Sequence, residues 1–88
     1  MVKVENITSR AGNAVKNQFI ITTDTATLFQ SYSTVIVKKE AGKVYIDKND
    51  WDYSRTTGKY RNIFLNETKK ETEKKIASGE YILTDLNA

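Results

Sequence analysis

At 88 residues and 10.0 kDa, the chain has the length of one domain, 1–88, built around a single small core. It contains no Cys and no His, which removes disulfides, thiolate chemistry, Ser-His-Asp triads and ordinary zinc sites together. A formal charge of +3 is slight for a polybasic nucleic-acid binder and has the wrong sign for a mimic of DNA's surface.

The opening residues MVKVENITSR lack the apolar core of a signal peptide. No apolar run reaches the ~18 residues of a membrane span, so a cytoplasmic protein is expected. Val2 and Val4 alternate with Lys3 and Glu5, which suits a strand over 2–9. Arg10 to Asn13 reads as a turn, because Gly12 and Asn13 tolerate positive φ. Val15 to Thr23 is rich in β-branched and aromatic residues and reads as a second strand. Asp24-Thr25 supplies a tight turn into a third strand, Ala26 to Gln30, and Ser31-Tyr32-Ser33 reads as a kink or bulge. The chain then continues as a strand over Thr34 to Lys39. Ala41-Gly42 turns it into Lys43 to Asp47, the plainest hairpin in the sequence.

Asn49-Asp50 ends that strand, and the conformation of 51–66 is ambiguous. Tyr60, Ile63 and Phe64 share one face of a helix, with Thr56 or Thr57 available as a cap. Tyr60, Asn62 and Phe64 equally share one face of a strand. The reading adopted is an exposed loop over 52–58 followed by a short helical or strand segment. The next helix is better specified. Thr68 and Glu71 make a capping box, Glu71 and Lys75 an i, i+4 ion pair, and Gly79 a left-handed stop. Tyr81 to Leu83 is a final strand or an extended tail. The fold class predicted is α+β, a small antiparallel twisted sheet of about five strands with one C-terminal helix packed on it.

Between Trp51 and Leu65, four aromatics (Trp51, Tyr53, Tyr60, Phe64) interleave with Arg55, Lys59 and Arg61. Arginine and aromatic faces grip phosphates, stack on bases and anchor interfaces. The bland reading is that Trp51, Tyr60 and Phe64 fill the core while Arg55, Lys59 and Arg61 solvate its rim. The turn-like S-R-T-T-G-K should leave Tyr53, Arg55, Lys59 and Arg61 in solvent. The candidate binding residues are therefore Tyr53, Arg55, Lys59, Tyr60 and Arg61, with forked contacts expected from the two arginines. Asp47, Asp50 and Asp52 are the one acidic cluster with metal potential. They fit no calcium loop, since Asp52 stands where Gly is needed and Gly58 where Glu is needed. Three acids at a strand end are more often a solvated turn. The mixed-charge run Lys69 to Lys75 reads as a solvated helix face.

WDYSRTTGKYRNIFLNETKKETEKKI followed by GEYILTDLN, with ITSRAGNAVKNQFIITT upstream, resembles short accessory proteins encoded by phages and prophages of low-GC Gram-positive bacteria. The resemblance implies a role of the anti-CRISPR type, in which a small domain blocks host machinery by stoichiometric binding. The function expected is a non-enzymatic inhibitor of a host defence or nucleic-acid-handling complex, acting without cofactor or metal. The partner would be a host protein or nucleoprotein, and an exposed sheet edge leaves a homodimer open. The alternatives are a single-stranded nucleic-acid binder, with Tyr53 and Tyr60 stacking on bases, and a metal-dependent nuclease using Asp47, Asp50 and Asp52.

Overall fold

The computed structural model describes residues 1–88. In chain order they form β1 (Lys3–Thr8), β2 (Ala14–Thr22), β3 (Ala26–Ser31), β4 (Thr34–Glu40), β5 (Lys43–Asp47), α1 (Arg55–Leu65), α2 (Lys69–Ser78) and β6 (Tyr81–Thr84). The α+β class is as predicted, but the sheet has six strands in the order β1-β2-β3-β4-β5-β6. It is mixed: the first four pairings are antiparallel and β5 pairs with β6 in parallel. A parallel neighbour needs a long crossover, and α1 and α2 together provide it. Tyr81 to Leu83 is thus a true strand, and there are two helices where one was expected.

The Ala41-Gly42 hairpin has both residues at positive φ, 53° and 77°, the backbone that matches strand twist in a two-residue loop. Ser31 to Ser33 is neither kink nor bulge. Ser31 pairs with Thr34 across a tight turn in which Tyr32 takes φ 55°. The bulge lies one step later, where Phe29 pairs with Val37 and Gln30 with Val35. The extra residue, Ile36, is buried together with its neighbour Val37, because a bulge breaks strict alternation.

Both helices pack on one face of the sheet. Phe29, Ile36, Val37, Ile46, Leu65 and Tyr81 form the core, with Trp51, Tyr60, Phe64 and Ile76 laid against it. Phe29 and Phe64 stack at 5.8 Å between ring centroids, and the Ser31 and Thr57 hydroxyls bond at 3.1 Å between β3 and α1. Gln18, fully buried on β2, finds no protein partner for either amide atom.

Candidate functional site

The exposed loop expected over 52–58 ends at Ser54: residues 55–65 form a helix in which Thr57 and Gly58 are buried, and neither Thr56 nor Thr57 is its cap. Ser54 is its N-cap, in extended conformation, and its Oγ accepts from the Thr57 amide. Asn66 closes it in the left-handed region, its amide donating to the Asn62 and Ile63 carbonyls. The side of α1 turned to the sheet carries Thr57, Tyr60, Arg61, Phe64 and Leu65. The outward side carries Arg55, Lys59, Asn62, Ile63 and Asn66, and these line an open groove of about 1250 Å³. Its far walls are Arg10, from the β1–β2 turn, and the start of α2 from Thr68 to Glu71.

The sequence-predicted site residues separate in this arrangement. Arg55 and Lys59 are exposed, one helical turn apart, in the groove. Tyr53 is 76% exposed on the preceding loop but does not line the groove. Tyr60 is half-buried against the core, so the expected pair of stacking tyrosines is not assembled.

Arg61 corrects the sequence reading outright: it is 1% exposed. Its Nη1 donates to the Trp51 carbonyl at 2.7 Å and to Asp52 Oδ1 at 3.2 Å, and its Nη2 to Asn62 Oδ1 at 3.0 Å. The guanidinium carbon stands 5.0 Å from the Trp51 ring centroid, a cation–π contact. Arg61 fastens the loop to α1 and closes the groove floor.

Asp52 links that floor to the far wall, its Oδ2 lying 2.6 Å from Lys69 Nζ. Burial pushes the Asp52 carboxyl up, but the hydrogen bonds from Lys69 and Arg61 outweigh it and hold the group below the usual aspartate range. Lys69 is raised in return by the hydrogen bond and charge of Asp52. Glu71 reaches back to the Thr68 amide in the capping box, and Glu67 is held by Lys75. The groove thus contains five cations and three acids, and each acid has a partner. Arg10, Arg55 and Lys59 have no ion-pair partner among the salt bridges of the fold. No acid stands in the first turn of α1 to offset its positive end. Guanidinium forks so placed match a carboxylate or a phosphate.

Asp47, Asp50 and Asp52 do not converge. Asp47 is buried and its two oxygens accept from the Asp50 and Leu86 amides, closing the turn after β5 and fixing the C-terminal tail. Arg10 and Lys69 escaped the sequence reading. Arg10 sits alone in a turn remote from the aromatic segment, and Lys69 lies within a run that resembles any solvated helix.

No helix is long and apolar enough to cross a membrane. No curated protein and no solved structure matches the chain. Residues 2–80 match the model of a family of unknown function, DUF8033, and the chain belongs to that family.

Proposed function

We propose that this member of DUF8033 works by stoichiometric docking, without chemistry of its own, as a phage- or prophage-encoded inhibitor of a host defence or nucleic-acid-handling complex. The observation that carries the reading is the set of three unpaired cations, Arg10, Arg55 and Lys59, around one groove whose acids are all engaged. A groove of this composition takes an acidic segment of a partner protein or nucleoprotein: its single hydrophobic lining residue, Ile63, offers little to an apolar guest. Tyr53, exposed on the loop between the groove-lining Asp52 and Ser54, offers an aromatic contact to the same partner.

The reading is tested by titrating the protein into a host complex that co-purifies with it. Activity of the complex should fall linearly and end at about one equivalent. An Arg55→Ala, Lys59→Ala variant with an unchanged melting curve should lose the partner. Inactivation by far less than one equivalent, or full retention of the partner by the variant, overturns the reading. Arg61 is left out of the variant because its removal disturbs the fold.

Direct binding of a single strand is the second reading, favoured by the exposed Tyr53 ring two residues before the exposed Arg55. Its affinity for an oligonucleotide would fall steeply with salt, since each neutralised phosphate releases counterions. Flat salt dependence removes it.

A further inference from the structure

The ion pair of Asp52 and Lys69 lies in the groove itself, and both members remain open to solvent, their side chains 34% and 51% exposed. A partner that enters the groove therefore meets this pair. Lys69 is the first residue of α2 and Arg55 the first of α1, and both line the groove. A cation at that end of a helix faces the positive pole of the macrodipole, so helix stability does not account for either one. Arg55 has no ion-pair partner, and Lys69 has Asp52 alone.

We propose that Asp52 is a resident stand-in for the partner's carboxylates, and that a Glu or Asp side chain of an acidic protein segment displaces it from Lys69 on binding. The inference rests on the docking reading above. It adds Lys69 to Arg10, Arg55 and Lys59 as a cation that grips the partner, and makes Asp52 the group that sets how tightly the groove binds.

Asp52 divides its oxygens between two cations. Oδ1 accepts from Arg61 Nη1 at 3.2 Å, and Oδ2 lies 2.6 Å from Lys69 Nζ. When Lys69 turns to an incoming carboxylate, Asp52 keeps Arg61, so the buried guanidinium retains its counter-ion. Lys69 exchanges one carboxylate for another of the same chemistry. A half-exposed ion pair contributes little net stability, so the exchange is close to balance and the remaining cations decide it. No aromatic side chain lines the groove. The bases of a nucleic acid would find no face there to stack on, which selects peptide carboxylates over the phosphates of a strand.

The test is fluorescence anisotropy of a labelled hexaglutamate peptide titrated with the full chain at low ionic strength, where exposed charges are least screened. Asp52→Asn keeps an acceptor for Arg61 and removes the charge that holds Lys69. It should tighten binding about three- to fivefold, the factor that follows from ~0.7–1 kcal/mol. Glu80→Gln makes the same change in net charge outside the groove and should leave affinity unchanged. Lys69→Ala should cost more in the Asp52→Asn background than in the wild-type chain, because only there is the ammonium already free. In the wild-type chain, whose folding no substitution disturbs, bound peptide should shift the Lys69 Cε resonance in the NMR spectrum. A hexathymidylate under the same conditions should bind more weakly than the peptide. Equal or weaker binding by a folded Asp52→Asn variant, or a Lys69 resonance unmoved by bound peptide, overturns this inference; the docking reading then stands if Arg55→Ala, Lys59→Ala abolishes peptide binding. Peptide binding indifferent to that double variant, or absent from every chain, overturns both. Tighter binding of the hexathymidylate overturns the choice of an acidic protein segment.

Discussion

A guanidinium at 1% exposure survives only if its charge is answered on the spot, because desolvating an ion costs several kcal/mol. Arg61 has three acceptors and an indole face for this purpose, while its Nε remains without a partner. Asp52 has a second partner in Lys69, so removing Arg61 does not strand a lone carboxylate. The loss is mainly of the bond to the Trp51 carbonyl and of packing beneath α1. Arg61→Ala should destabilise the protein by about 2–4 kcal/mol. Arg61→Lys should recover less than half of this, because a single ammonium cannot fork to acceptors on both sides of the loop. Urea unfolding of both variants checks the pair of values, and a cost below about 0.5 kcal/mol for Arg61→Ala, the level of an ordinary surface change, would make the side chain a bystander. The same burial removes Arg61 from any direct grip on a partner and leaves Arg55 and Lys59 as the exposed cations of α1.

Helix α1 contains Gly58 in its first turns, where glycine costs about 0.5–1 kcal/mol relative to alanine. A methyl there would lie 3.5 Å from Asp52 Oδ1 and 3.6 and 3.7 Å from the Arg61 Nη atoms, ordinary contact distances. Gly58→Ala should therefore raise the melting temperature by several degrees, as about 0.5–1 kcal/mol does in a domain of this size; a fall would mean that the methyl disturbs the Asp52–Arg61 pair beneath it. Gly58 is also one reason α1 was hard to read. With Thr56 and Thr57 beside it, local propensity is weak, and a central slot on the buried side is filled by Arg61, so the apolar period is broken where it should be clearest. Elsewhere side-chain pattern and turn chemistry agree: β2, β5, the Ala41-Gly42 hairpin and the Thr68 capping box were legible. The Tyr32 turn was not, since a tyrosine at positive φ carries no signal. Nor was the direction of β6, which depends on how far two helices carry the chain. For the site, Tyr53, Arg55 and Lys59 are exposed as expected, but the turn expected to expose them is helix from Arg55 on, where Arg55 and Lys59 stand on the outward side and Arg61 is buried; the approach of Arg10 is a tertiary event.

The two layers are joined at their weakest point, the short parallel edge strand, by one carboxylate. Glu67, between α1 and α2, has a side chain 3% exposed; its Oε1 accepts from Lys75 Nζ at 2.7 Å and Tyr81 Oη at 2.8 Å, and its Oε2 accepts from Thr72 Oγ1. Burial alone would raise the Glu67 carboxyl, but the bonds from Lys75, Thr72 and Tyr81 outweigh burial and hold it below the usual glutamate range. Asp52 is lowered in the same sense. A carboxylate lowered on folding contributes stability that is complete above about pH 5 and is lost as pH falls through its folded value. Lys75 is raised chiefly by its bond to Glu67, and Tyr81 by burial and then by Glu67. Groups raised on folding contribute fully below their unfolded values, about pH 10, and lose that contribution as pH rises beyond. Thermal stability should therefore be flat from about pH 5 to 9 and decline on both sides. Glu67→Gln keeps the shape of the side chain and removes its charge. The variant should melt lower on the plateau, lose part of the acid decline because one titrating carboxylate is gone, and lose part of the alkaline decline because Lys75 and Tyr81 no longer face an anion. Melting curves of both proteins from pH 3 to 11 decide the matter. Equal slopes on both limbs would show that the linkage between helices and edge strand is not electrostatic, and that packing of Tyr81 into the core holds β6 alone.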